Sequence, residues 1–450
     1  MDKSGEKKSE TYYPDGGYGW IIVCAIILIN VSLLTLVPCF GIIFRDEFKE
    51  WGITAAQTSF LLHLQSSLYC CFGFFTSPFL KMYGMRKVAF FGAFLMSLGI
   101  FLTSFGTSYF FLIFSVSVLT GMGQGTLMPA TYLATYTYFK KRLTVATSLS
   151  VTGASMAPIF MPKICDILLT KFGRRFTVLF LFFVSLLSLI GCFLLKPVKQ
   201  KSSEENENDI KLNSEVEVKE ELLKTIENGV YEKTTIEKPM NVWKKLLHTF
   251  DLHLLQDVPF VLIVLGLGVS FASELNIILM LQFILQELSQ FERSEAAVAI
   301  SVMSITDILG RLVVPMVAHM FNAPPKLMYG GALVVASIGR TVLAGWSKEV
   351  ILVFISIGLI GLTKGCRAVF QSVIIPKFVA LEKIPGANGI NMLFTGGISL
   401  VIGPIIGVIH DKTGSYFYAL HASTVLSLLC VTLWIVELIY EKRRYRSAKV

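Results

Sequence analysis

Asp307 and Arg311 stand four residues apart inside Ile300–Met320, a stretch that otherwise has the composition of a membrane-spanning helix. At 3.6 residues per turn that spacing puts both side chains on one face, one turn apart. An ionised side chain at the centre of a spanning helix costs about 2.5–3.5 kcal/mol on insertion scales. An acid and a base kept there together point to work on a charged ligand or a proton. Five further ionisable residues fall deep in apolar runs: Lys163, Glu274, Arg340, Lys364 and Arg367. Lys364 and Arg367 are three apart and share a face. Arg311, with Lys364 or Arg367, could hold a carboxylate through charge-assisted hydrogen bonds. Asp307 would then orient Arg311 or exchange a proton as the site opens and closes. Arginine does not deprotonate in proteins, so any proton coupling has to run through Asp307 or Glu274. Plainer readings stand beside these. Asp307 and Arg311 could be a structural pair, Glu274 a buried partner of Lys364 or Arg367, and Lys163 a partner of Asp166. Arg340, close to the end of its run, is expected to snorkel to the surface.

Spanning helices must position these residues. The 450 residues are 54% hydrophobic and 16% charged, against about 25% charged in a soluble domain. The apolar residues form twelve runs, near 18–43, 56–80, 88–105, 109–136, 143–169, 176–195, 258–285, 295–320, 327–345, 349–373, 386–410 and 416–439. Such runs match about 20 residues for a crossing helix and are too continuously apolar for barrel strands. The stretch Met1–Asp15 is polar, without signal-peptide character. An even number of spans puts both termini on one side. Lys and Arg in the tails and central linker make that side cytoplasmic. The net charge of +9 follows from the same bias and calls for no nucleic-acid partner.

The expected domains are a cytoplasmic segment (1–17), a six-helix bundle (18–195), a cytoplasmic linker (196–257), a second six-helix bundle (258–439) and a basic tail (440–450). Lys199–Lys238 is rich in Glu, Lys, Asn and Ser, a composition that cannot bury a core. The bundles echo each other. Thr152-Gly153-Ala154-Ser155, Pro158, Asp166 and Lys171-Phe172-Gly173 in the fifth span find counterparts in the eleventh. These are Thr395-Gly396-Gly397-Ile398-Ser399, Pro404 and Asp411-Lys412-Thr413-Gly414. Parallel six-helix repeats are the plan of the major facilitator transporters, with substrate bound near the midplane between the halves. All eight cysteines lie in apolar runs, as packing residues. His63 and His319 are too isolated for a metal site. No nucleotide-binding loop or hydrolase constellation is present, so neither an enzyme, a cofactor nor a bound metal is expected.

Two stretches are more specific. The first span opens with Pro14-Asp15-Gly16-Gly17-Tyr18-Gly19-Trp20, and the fifth is entered through Tyr138-Phe139-Lys140-Lys141-Arg142, then Ala146 and Gly153. The glycines permit a tight turn at the membrane surface, Tyr18 and Trp20 suit the headgroup interface, and Asp15 can cap the first helix. Lys141 and Arg142 read as topology determinants and inner-gate contacts. The first stretch resembles the Asp-Gly-Gly-aromatic-Gly-Trp signature of the monocarboxylate transporter family. The second resembles that family's Tyr-Phe-basic signature. Asp307 and Arg311 fall where that family has an acid–arginine pair on its eighth helix. The basic turn Lys81–Lys87 is similar to a reduced form of the superfamily's loop motif, without its acid.

The resemblance implies an all-α membrane protein of the major facilitator fold that moves a small organic anion, most typically a monocarboxylate, across the plasma membrane by alternating access. It also implies a proton as a potential co-substrate and, in some members, a single-span immunoglobulin-like ancillary protein. Lipid surrounds the spans. Two departures stand out. Lactate carriers of the family resemble one another in a lysine late in the first helix, where this chain has Leu36-Val37-Pro38-Cys39-Phe40-Gly41. Ser148 also replaces a usual glycine. Cys39 is therefore carried as a candidate substrate-lining residue, beside Asp307, Arg311, Glu274, Lys364 and Arg367. Two rival readings are an aromatic amino acid or other zwitterion transporter, in which Glu274 holds the ammonium group, and a transporter-fold sensor with little flux.

Overall fold

The computed structural model describes residues 16–139, 142, 146, 149–150, 152–153, 155–196, 252–321, 323–375, 378–379 and 384–447. Asp15, Lys140, Lys141, Ser148 and most of the 196–257 linker lie outside the described residues. Those described are helical, with no strand among them.

Helices α1 (Tyr18–Leu33) and α2 (Leu36–Glu50) form one span broken at Leu34–Thr35. Pro38 explains the break, because it has no N–H to offer the carbonyl one turn back. The freed backbone is resatisfied locally. Gln124 Nε2 donates to Leu33 O at 3.1 Å, and Gln65 Nε2 donates to Gln124 Oε1 at 3.1 Å. Helix α3 (Ala55–Tyr83) starts at a reciprocal Thr54–Gln57 capping box. Then come α4 (Met85–Thr103), α5 (Tyr109–Tyr138, with a π-helical stretch at Ile113–Thr120) and α6 (Ala157–Leu194). At Gly173 (φ 76°, ψ 176°) α6 leaves helical geometry, at a φ that a side chain would strain. The single long helix therefore divides between the expected fifth and sixth spans. The second half holds α7 (Val258–Leu288), α8 (Arg293–Met320), α9 (Pro325–Gly345), α10 (Val350–Ile374), α11 (Ile384–Thr413) and α12 (Tyr416–Ser447). Among the described residues, ten helices are long and apolar enough to cross a membrane.

Exposed large apolar side chains lie on the outside of the helices, including Phe91, Phe110, Phe183, Met316, Ile351 and Val425. That is the surface of a protein solvated by lipid. Inside, one apolar core is almost wholly built from residues 22–195, and two others lie almost wholly in residues 260–434. Between the halves α3 packs along α11, where Gly396 meets Cys70 and Gly403 meets His63. The first part of α6 packs on α8, where Ser301 and Ser304 donate to the carbonyls of Ile159 and Pro158. Each half thus sets its fifth span against the other's second, as an internal repeat requires. At the face opposite the termini, Asp411 accepts from the backbone N–H groups of Ala55 (2.9 Å) and Ala56 (3.0 Å), capping α3 from the other half. Arg293 of the second half also pairs with Asp46 of the first.

Candidate functional site

Close approach of α8 and α10 creates the site. A side chain at Gly310 would meet the carbonyl of Leu362, one at Gly361 that of Met303, and one at Gly365 that of Asp307. The helices touch backbone to backbone, as small residues allow in membranes. Gly361 and Gly365 bracket Lys364, so the contact delivers its ammonium to Asp307 Oδ2 at 3.2 Å. On α8, Arg311 closes a bidentate bridge to the same carboxylate, Nε to Oδ1 at 2.9 Å and Nη2 to Oδ2 at 3.1 Å. Asp307 is 4% exposed. One carboxylate therefore faces two cations.

The second acid sits one helix away. Arg367 Nη2 pairs with Glu274 Oε2 of α7 at 3.0 Å, while its Nε donates to Thr363 O at 3.3 Å. Arg367 is 2% exposed, yet its Nη1 finds no acceptor among the described residues. Arg340 of α9 does not snorkel, contrary to expectation. It is 2% exposed. Its Nη1 donates to Ser273 Oγ (2.8 Å) and Ser423 O (2.9 Å), its Nη2 to Ser427 Oγ (2.8 Å), and its Nε to Ala336 O (3.2 Å). Neutral acceptors on α7 and α12 hold it inside. Glu274, Arg340, Lys364 and Arg367 line one narrow cleft, which in this conformation admits little beyond a water molecule, walled by Ile277, Ile278, Ala336 and Ile360. From the other half, Tyr132 of α5 stands within electrostatic reach of Arg311, with Tyr69 of α3 next to Tyr132.

The expected site residues thus divide. Asp307, Arg311, Lys364, Arg367 and Glu274 come together. Cys39 does not join them. It is fully buried in the first-half core, beside Cys165. Lys163 pairs with Asp166 at 3.2 Å and donates to Ser294, near the Asp46–Arg293 contact. The two signature stretches meet each other instead of the cleft. Gly17 turns at φ 54°, and Trp20 N and Gly19 N donate to Gly17 O and Gly16 O. Gly19 packs against the Phe139 ring, and Trp20 lies 5.4 Å from the same ring. Tyr18 donates to Leu194 O, and Tyr138 to Lys196 O, both at 3.0 Å. Gly153 abuts Ile27, and Arg142 is exposed. Sequence reasoning missed Arg340 as a site residue, and also the Gly361-x-x-x-Gly365 pair. Four-residue glycine spacing within an apolar run was the available signal for the pair.

A paired-charge cleft inside the second half, among helices long and apolar enough to cross a membrane, suits a transporter, and comparison bears on which kind. The sequence pattern of the Major Facilitator Superfamily matches residues 19–335. The chain belongs to that superfamily. It is therefore a multi-pass membrane transporter by family and not an enzyme. It is similar to monocarboxylate transporter 9 of Gallus gallus, 23% identical over 483 residues, with 92% of each chain covered. It is also similar to monocarboxylate transporter 10 of Rattus norvegicus, at 22% identity over 94% of this chain and 79% of the relative. A solved mutant form of the nucleoside transporter NupG superposes with TM-score 0.67 at 11% identity, covering 93% of this chain and all of that one. At that identity the likeness speaks for the fold.

Proposed function

We propose that this protein is a secondary transporter that moves a small organic anion across the plasma membrane by alternating access, with monocarboxylates as the class named in its relatives. The observation that carries the reading is the Asp307–Arg311–Lys364 cluster: a buried carboxylate holding two cations, of which Lys364 lines the cleft and Arg311 lies within electrostatic reach of Tyr132 from the other half. An incoming carboxylate competes with Asp307 for Arg311 and Lys364, and so changes how α8 and α10 are held. The two bundles, 18–195 and 258–439, rock about this site. Asp46–Arg293 and the Asp411 cap close the extracellular face, and both termini are cytoplasmic. Without a lysine in Leu36–Gly41, a co-transported proton would have to ride on Asp307 or Glu274. Glu274 already pairs with Arg367, so a substrate ammonium group would have to displace a guanidinium there, which disfavours a zwitterion.

The test is uptake of labelled monocarboxylates and aromatic amino acids by cells expressing the chain, at two external pH values. Saturable uptake of an organic anion is expected. Uptake of amino acids alone would overturn the anion reading. No flux for any compound, with the protein at the surface, would favour a sensor. Flux indifferent to pH would remove the proton from the mechanism.

A further inference from the structure

Within the same cleft, we infer that the substrate carries two anionic groups, and that Arg340 and the free edge of Arg367 receive the second one. The inference rests on the transport reading above and deepens it. Four cations surround the cleft and its adjoining ion pair, namely Arg311, Arg340, Lys364 and Arg367, against two carboxylates, Asp307 and Glu274. Each acid is already engaged: Asp307 by Arg311 and Lys364, Glu274 by Arg367. Arg340 hydrogen-bonds only to hydroxyl and carbonyl oxygens among the described residues, and the acid within its electrostatic reach, Glu274, is the one already paired with Arg367. A buried charge without a counter-ion is costly. Two positive charges in excess therefore favour a divalent anion over a monovalent one.

Geometry supplies the second observation. Arg367 lines the cleft, and its Nη1 is buried with no acceptor among the described residues. A buried guanidinium N–H without a partner is a docking point awaiting an acceptor. Lys364 lies three residues away on the same face of α10 and reaches the Asp307 end of the cluster. As the cleft opens in the transport cycle, a short organic dianion can thus bridge the two ends, with one carboxylate at Lys364 and Arg311 and the other at Arg367 Nη1 and Arg340. The walls between them are apolar (Ile277, Ile278, Ile360), which suits a methylene spacer. The substrate class is a small aliphatic dicarboxylate.

The full-length purified protein tests this through thermal stabilisation, because a ligand that binds the folded state raises its melting temperature with concentration. Matched probes are succinate against butyrate and glutarate against valerate, at constant ionic strength set with chloride. At least one dicarboxylate is expected to half-saturate at about one-tenth the concentration of its monocarboxylate partner, a difference of about 1.4 kcal/mol. Glu274→Gln, which frees more of Arg367, should lower that concentration several-fold. Arg367→Lys, which keeps the charge but removes the free N–H, should raise it and erase most of the preference. Arg340→Gln should do the same, and Arg367→Lys keeps the test decisive if the Arg340 variant does not fold. Equal or tighter binding of the monocarboxylates overturns the inference while leaving anion transport standing. Failure of every probe to stabilise, together with no anion flux in the uptake panel, removes the transport reading itself. Failure of every dicarboxylate alongside measured monocarboxylate flux removes only the second subsite.

Discussion

Asp307 works against two cations at once, and that makes it the least replaceable side chain of the site. Asp307→Asn would leave Arg311 and Lys364 facing each other without a counter-ion. Removing one partner of a buried charged pair typically costs about 3–5 kcal/mol, so the variant is expected to lose at least tenfold of transport and to fall in surface abundance. Lys364→Gln should be milder, since the bidentate Arg311–Asp307 bridge survives. Uptake normalised to surface protein checks the order, and a Lys364 variant more damaged than the Asp307 variant would contradict it. The Asp307–Arg311 pair was readable from sequence because four-residue spacing fixes the contact locally. Glu274–Arg367 was readable only as a choice of partners, since helical phase does not say which neighbouring helix meets a face. Arg340 was misread because its place near the end of an apolar run suggests escape to the surface. Three serines on two distant helices, which no local pattern connects, hold it inside. Cys39 was misplaced because its stretch follows the Leu34–Thr35 break, beyond which the phase of α1 no longer tells which way side chains point.

Two interhelical contacts decide whether the site assembles. The α8–α10 contact depends on Gly310, Gly361 and Gly365 having no side chain. Gly365→Val inserts bulk against the Asp307 backbone and should cost about 1–3 kcal/mol by overpacking, separating Lys364 from Asp307. The expected result is a lower melting temperature with transport lost more than stability explains. A variant with wild-type transport would show that the contact does not serve the site. The α3–α11 contact ends in the Asp411 cap across the halves. Asp411→Ala removes a cap worth about 1 kcal/mol from one conformation only. It should therefore raise the labelling rate of an introduced Ala56→Cys by a membrane-impermeant maleimide applied from outside. An unchanged rate would mean the cap does not hold that face shut. The span order was readable from apolar run length. The turn at Gly173 was anticipated only as a gap between two runs.

The fold as a whole was accessible early because lipid demands long apolar helices and the two halves repeat. The signature stretches, in contrast, read as motifs but resolve into a structural joint, where Gly19, Trp20 and Phe139 lock the first span to the fourth. In the proposed mechanism they bear on how one half moves as a body, while recognition of the cargo is assigned to the other half. That asymmetry is directly measurable in proteoliposomes preloaded with unlabelled organic anion, by counterflow of the labelled compound through wild type, Arg311→Lys and Arg311→Ala reconstituted at equal density. Counterflow is expected to fall sharply in Arg311→Lys, which loses the bidentate geometry, and to vanish in Arg311→Ala. Counterflow by Arg311→Ala at the wild-type rate would contradict the assignment of this charged cluster as the anion site.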